Sequence, residues 1–421
     1  MTSLLRNVAA LIAAVSILQL AGGLLGVRLP LAFTEDGHSR TALGIVAASY
    51  SAGFMMGAVI ATSLLARVGH IRVYAACAAI FAVATLALHF SSDVWSWGLA
   101  RMGAGIAVAL MFAAVESWIS WSIGPHARGE VMSVYMVLTK GALALGPLLA
   151  FTYAPGAAEP WMIAAALAAL SMVPICFTAA EQPTPPKAQP LALVEQFATA
   201  PAAVIGCFGA GLVNGGVLAL APLYASQHYG AGAAAEFYSA AFTGSLLLQW
   251  PAGRVSDRVD RRLVIAALAG LAAAAAFALA VWSGQLTSLA AVMLFFLWGA
   301  GALSFYGIAV AHMADRAEPG RMAQSAAGLL FVWAAGSVVG PLIMGPLVDW
   351  FDVAGMFWFA GGAAVFVCAA MFWRSSTREG PVTKEDFSPQ IGTSVAAGEI
   401  AYGEDKPAAE AGPIADAPNP R

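Results

Sequence analysis

The stretch WPAGRVSDRVDRRLVI, residues 250–265, sets Arg254, Asp257, Arg258, Asp260, Arg261 and Arg262 within nine positions. Of the 421 residues of the chain, 60% are hydrophobic and 10% charged, with a mean hydropathy of +0.78. A soluble domain carries about a quarter charged residues. The cluster therefore reads as a polar break between two membrane-crossing runs, and the same reading extends outward in both directions. Runs of about 20 apolar residues, enough to cross roughly 30 Å of hydrocarbon, recur along the chain with short polar breaks between them.

The spans fall at about 8–29, 41–65, 73–90, 95–121, 130–153, 160–178, 198–225, 235–252, 263–283, 288–311, 322–347 and 355–374. The expected fold is all-α, a polytopic membrane protein with twelve transmembrane helices and both termini on one side. The first run follows Arg6 but continues to about Leu31, so it reads as span 1 rather than a cleaved signal. Sixteen of the twenty Lys and Arg residues lie on the side of the N-terminus, and the exceptions are Arg28, Arg40, Arg101 and Lys140. Because Lys and Arg set orientation, that side is expected to be cytoplasmic, in a cell inner membrane. Cys77, Cys176, Cys207 and Cys368 all fall within spans, with no CxxC pair or metal-ligand spacing, and read as packing residues.

EQPTPPKAQPLALVEQF, 181–197, divides the spans six and six. It reads as a cytoplasmic linker between an N-terminal half, 1–180, and a C-terminal half, 198–374, with a polar disordered tail at 375–421. The halves show weak self-similarity at an offset of about 191 to 196 residues, as a duplicated transporter would. Gly22-Gly23 recurs as Gly215-Gly216, Gly103-Ala104-Gly105 as Gly299-Ala300-Gly301, and Arg128 with Gly146-Pro147 as Arg321 with Gly340-Pro341.

Two six-span halves, a cytoplasmic linker and the loop GRVSDRVDRR resemble the major facilitator superfamily over about residues 5–375. GHIRVYA, VESWIS and HARGEVMSVYMV resemble its YcaD-like branch. The resemblance implies a gating loop of Gly253, Asp257, Arg258, Arg261 and Arg262, in which Asp257 latches the cytoplasmic helix ends. Gly69 and Arg72 stand in the equivalent first-half loop, TSLLARVGHIRVY, which departs from the pattern at Thr62, Ala66 and His70-Ile71. Arg101 with Gly105 is similar to a span 4 motif to which proton coupling is attributed, and the GP element of span 5 resembles one associated with antiporters.

A charge at the centre of a bilayer helix costs about 2.5–3.5 kcal/mol, so each is a functional candidate. Lys140 lies about ten residues into span 5, about 15 Å deep at 1.5 Å per residue, and reads as a cargo contact or a structural pair. Arg101 reads as a coupling residue or as an anchor snorkelling to the outer surface. Glu116 reads as a proton carrier or as a partner of Arg128 or Arg72. Arg28 is expected to meet an anionic group at the outer mouth or to anchor span 1. Gln19, Asn214 and Gln249 can hydrogen-bond a polar solute or a neighbouring helix. Trp298 and Trp333, the deeper aromatics, are the cavity candidates. Gly146-Pro147 and Gly340-Pro341 read as bending or close-packing elements.

No phosphate-binding loop, HExxH or hydrolase triad is present in the sequence, so no enzyme and no cofactor or metal is expected. The chain reads as a secondary transporter working as a monomer in the lipid bilayer, moving a small-molecule solute by alternating access and coupled to protons. Few charges and several aromatics point to an uncharged or weakly charged flat cargo, and because carriers of the kind this chain resembles include vitamin importers, the resemblance implies riboflavin or a similar heterocyclic nutrient. Efflux of amphipathic drugs or metabolites is the alternative within the class, and a non-transporting receptor the alternative outside it. Nucleic acid is not an expected partner.

Overall fold

A computed structural model describes residues 2–123, 128–150, 153, 156–178, 183, 193–230, 232–317 and 322–377. Most of the expected linker, Arg321, the side chain of Arg128 and the tail beyond Thr377 lie outside the described residues. The N-terminal half contains α1 (Thr2–Glu35), α2 (Arg40–Val68), α3 (His70–Phe90), α4 (Val94–Ser122), α5 (Arg128–Leu145) and α6 (Glu159–Cys176). A short α7 (Leu193–Thr199) precedes the second set: α8 (Pro201–Tyr229), α9 (Ala233–Arg258), α10 (Arg261–Val281), α11 (Ser288–Ala302), α12 (Phe305–Ala314), α13 (Met322–Trp350) and α14 (Gly355–Thr377).

Eleven spans among the described residues are long and apolar enough to cross a membrane, with α11 and α12 counting as one. The twelfth expected span is α9, whose 26 residues make it about 39 Å long at 1.5 Å per residue. It is less apolar than the others because it carries Glu236, Arg254, Asp257 and Arg258 within its length and turns Ser245 and Gln249 into the protein interior. Polarity facing protein rather than lipid is tolerated at that depth.

Local chemistry sets the boundaries. Ser39, Asp93 and Thr287 cap α2, α4 and α11 by accepting from the backbone N–H groups of Ala42, Ser96 and Ala290. Gly69 alone separates α2 from α3, at φ +90°, a conformation that a Cβ disfavours. Span 5 stops being α-helical at Leu145 and continues as a 3-10 segment, Gly146–Ala150, where Pro147 lacks the N–H that an α-helix would need. Its counterpart Gly340-Pro341 lies inside a continuous α13.

The sequence repeats acquire a physical meaning. In the first half Gly23 of α1 lies against Gly146-Pro147: a Cβ on Gly23 would stand 2.9 Å from Pro147 Cδ and 3.0 Å from Gly146 Cα, and would collide with Leu143 O. In the second half the close backbone approach shows at Gly340, where a Cβ would collide with Leu212 O of α8 and stand 3.3 Å from Gly216 N. First and fifth spans thus approach backbone to backbone in each half, where small residues allow it. Because Gly23 faces backbone that cannot rotate away, Gly23→Ala is expected to destabilise the fold by about 1–3 kcal/mol, the usual cost of overpacking. A detergent-solubilised variant melting at the wild-type temperature would contradict this.

The halves meet along two related seams, α2 with α13 and α5 with α9. In the first, Gly345 packs on Arg40 and Thr41, while the Asp349 carboxylate accepts from the backbone N–H groups of Arg40 (3.1 Å) and Thr41 (2.8 Å) and from the Thr41 hydroxyl (2.6 Å). An anion thus caps the positive end of α2 from the other half. In the second, Ser239 donates to Ala144 O at 2.6 Å.

Candidate functional site: a central cavity between the halves

A cavity of about 270 Å³ lies where the halves meet. Five of the residues singled out from sequence line it: Gln19, Arg101, Lys140, Asn214 and Trp333.

Lys140 of α5 is 2% exposed, and its ammonium reaches across the seam to α9. It donates to Ser245 Oγ at 2.9 Å and to Gln249 Oε1. Gln249 therefore acts on the site through Lys140 rather than as part of the lining.

The break between α11 and α12 borders the cavity through Leu303. Interrupting a membrane helix frees backbone carbonyls that need other donors. Asn214 Nδ2 donates to Ala302 O at 3.2 Å, and Ser245 Oγ to Leu303 O at 3.3 Å. Asn214 Oδ1 is buried without a partner among the described residues, which leaves an acceptor in the cavity lining. Span 10 was expected to be continuous, and nothing in ALSFYG marks the break except that Ser304 can turn.

Arg101 also lines the cavity, so its guanidinium faces the protein interior rather than the outer surface. Its Cζ lies 4.0 Å from the Tyr50 ring centroid, a cation–π contact, and its Nε is buried without a hydrogen-bond partner among the described residues. Trp333 meets Phe54 and Tyr306 edge-on, each at 6.1 Å between centroids, and all three line the cavity. Tyr50, Phe54 and Tyr238 were not singled out from sequence, where they look like any other apolar-face aromatic. The one signal was Gly26, which lies directly under the Tyr238 ring.

Other candidates lie elsewhere. Trp298 is fully buried and stacked on Phe295 at 4.8 Å and 11°, outside the cavity lining, so its expected cavity role is corrected to core packing. Glu116 is fully buried, accepts from Tyr135 Oη at 2.8 Å and is not a lining residue, while Arg72 is exposed. Arg28 pairs with Glu35, two turns further along α1, through contacts of 3.1 and 3.2 Å, and Glu35 also accepts from Gly156 N at 3.3 Å. The expected anion contact of Arg28 is thus filled by the protein's own carboxylate.

The loop at 250–265 forms a separate charged cluster. Arg261 holds Asp315, beyond α12, by two contacts of 2.8 and 3.1 Å, and also reaches Asp257 and Ser256, each at 3.0 Å. Arg262 pairs with Asp260 and donates to Arg374 O at 2.7 Å. Burial opposes the Asp260 charge, yet side-chain and backbone hydrogen bonds from Arg262 hold its carboxyl below the ordinary range. Gly253 is buried within α9, and Arg258 is exposed. These contacts join α9, α10, α12 and α14 of one half.

The family model described as Major Facilitator Superfamily matches residues 11–335, and in a second match 237–409. The uncharacterized MFS-type transporter YcaD of Salmonella typhimurium is 28% identical over 346 residues, which are 81% of this chain and 88% of that protein. Its counterpart in Salmonella typhi is 28% identical over 341 residues, 80% and 87% of the two chains. Among solved structures, a mutant of the nucleoside transporter NupG superposes with a TM-score of 0.73 at 13% identity, covering 88% of this chain and all of that one. A D-xylose-proton symporter gives 0.68 at 14%, covering 87% and 97%. These relatives and structural neighbours are transporters, not enzymes.

Proposed function

Because the chain belongs to the major facilitator superfamily, we propose that it is a secondary transporter carrying one small organic solute with a flat ring through the central cavity, coupled to protons. The observation that carries this reading is the cavity's position. Its lining is drawn from both halves, and Lys140 bridges them there. Rocking one half against the other would open the cavity to alternate sides of the membrane. The aromatic wall of Phe54, Tyr306 and Trp333 supports a flat cargo. The Lys and Arg bias supports cytoplasmic termini in an inner membrane. Proton coupling rests on Arg101 and Lys140 within the cavity, and Glu116 outside it is the weaker carrier.

Cells expressing the protein and offered labelled flat heterocycles, riboflavin among them, are expected to accumulate at least one above vector-only cells. A protonophore should abolish that accumulation. No expression-dependent movement of any solute, inward or outward, would remove the carrier reading. Flux unchanged by the protonophore, with the sodium gradient intact, would remove the proton.

A further inference from the structure

We infer that the cargo is an organic anion, a carboxylate on a flat ring, bound between Arg101 and Lys140; this deepens the carrier reading above and rests on it. Among the described residues the cavity lining holds these two cations and no Asp or Glu. Lys140 is met by the neutral oxygens of Ser245 and Gln249. Arg101 is met on one face by the Tyr50 ring, with its Nε unpartnered. Two cations at membrane depth without a lining carboxylate are costly, and an anionic ligand offsets that cost.

The two groups divide the work. The planar guanidinium of Arg101 presents a fork of donors that fits a carboxylate in a bidentate manner, and the Tyr50 ring fixes its plane. The ammonium of Lys140 is a point charge already shared with the opposite half. A carboxylate arriving there competes with Ser245 and Gln249 for the same protons, so occupancy loosens the α5–α9 tie and binding is linked to rocking. The uncharged or weakly charged cargo expected from sequence is thereby narrowed to an anion, because two of the rare charges carried within the spans, Arg101 and Lys140, line one cavity.

The test uses 2-naphthoate and its neutral isostere 2-naphthamide, titrated calorimetrically into the full-length protein in detergent. The carboxylate is expected to bind at least about tenfold more tightly. In Arg101→Gln that advantage should fall below about threefold, with a melting temperature no lower than that of the wild type as the control for folding. Arg101→Lys should keep part of it. Equal affinities, a preference for the amide, or no binding of either would overturn the anionic assignment while leaving the carrier reading to its own flux test. Conversely, selective naphthoate binding without protein-dependent naphthoate flux into proteoliposomes would uphold the anion site, the carrier reading standing or falling with the solute flux test above.

Discussion

Lys140→Met is expected to lower solute flux at least about tenfold while leaving the melting temperature of the purified protein unchanged or raised. The two effects separate because Lys140 is a buried charge. Its hydrogen bonds to Ser245 and Gln249 are charge-assisted, worth about 1.5–3 kcal/mol each, and about 1.4 kcal/mol is a factor of ten in affinity or rate. Burying the ammonium carries a desolvation cost of several kcal/mol, which an apolar side chain of similar volume avoids. A residue kept only for stability would show the reverse, a lower melting temperature with flux per folded molecule retained. Flux of the Met variant at the wild-type level would take Lys140 out of the transport cycle.

The largest loss of stability is expected at Arg261. Its side chain and that of Asp315 are both fully buried, joined by two contacts of 2.8 and 3.1 Å. Arg261→Ala removes the guanidinium that makes both of these contacts to the buried Asp315 carboxylate, and breaking a buried pair on one side costs about 3–5 kcal/mol. Thermal unfolding in detergent should show it as a large downward shift. Asp257→Asn is expected to behave differently. Asp257 is a quarter exposed and shares Arg261 with Asp315, so its loss should change stability by no more than about 1 kcal/mol. If it also acts as a latch, flux should fall with insertion intact, whereas unchanged flux would leave the cluster a structural hub of the second half.

How far the sequence could be read follows from what hydropathy reports. The all-α fold and the order of the spans were legible because long apolar runs record transfer out of water, a property of segments. The Gly-Gly and Gly-Pro repeats were also legible, and the structure shows that they mark the same close approach in both halves. α9 was read correctly as a long helix although its polar face weakens the hydropathy signal, since Tyr238, Ser245 and Gln249 turn inward.

The candidate site was legible only in part. Rare charges stood out, and Arg101 and Lys140 proved to share one cavity. The aromatics did not separate: Trp298 and Trp333 are both deep tryptophans in apolar runs, yet one is stacked in the core and the other lines the cavity. Arg28 and Glu35 lie seven residues apart, and only the helix turns between them brought the pair together.

The sequence by itself determined the all-α class, the order of the apolar spans and which rare polar groups are carried within them, because each depends on solvation of a linear segment. Tertiary structure alone decided which faces look inward, where α11 gives way to α12, and that Lys140 reaches Ser245 and Gln249 more than a hundred residues away. Lipid is as apolar as the protein core, so a membrane helix lacks the polar stripe that reveals the buried face of a soluble one. Its rotation about its own axis is set by packing against neighbours, down to a glycine over which a backbone can pass.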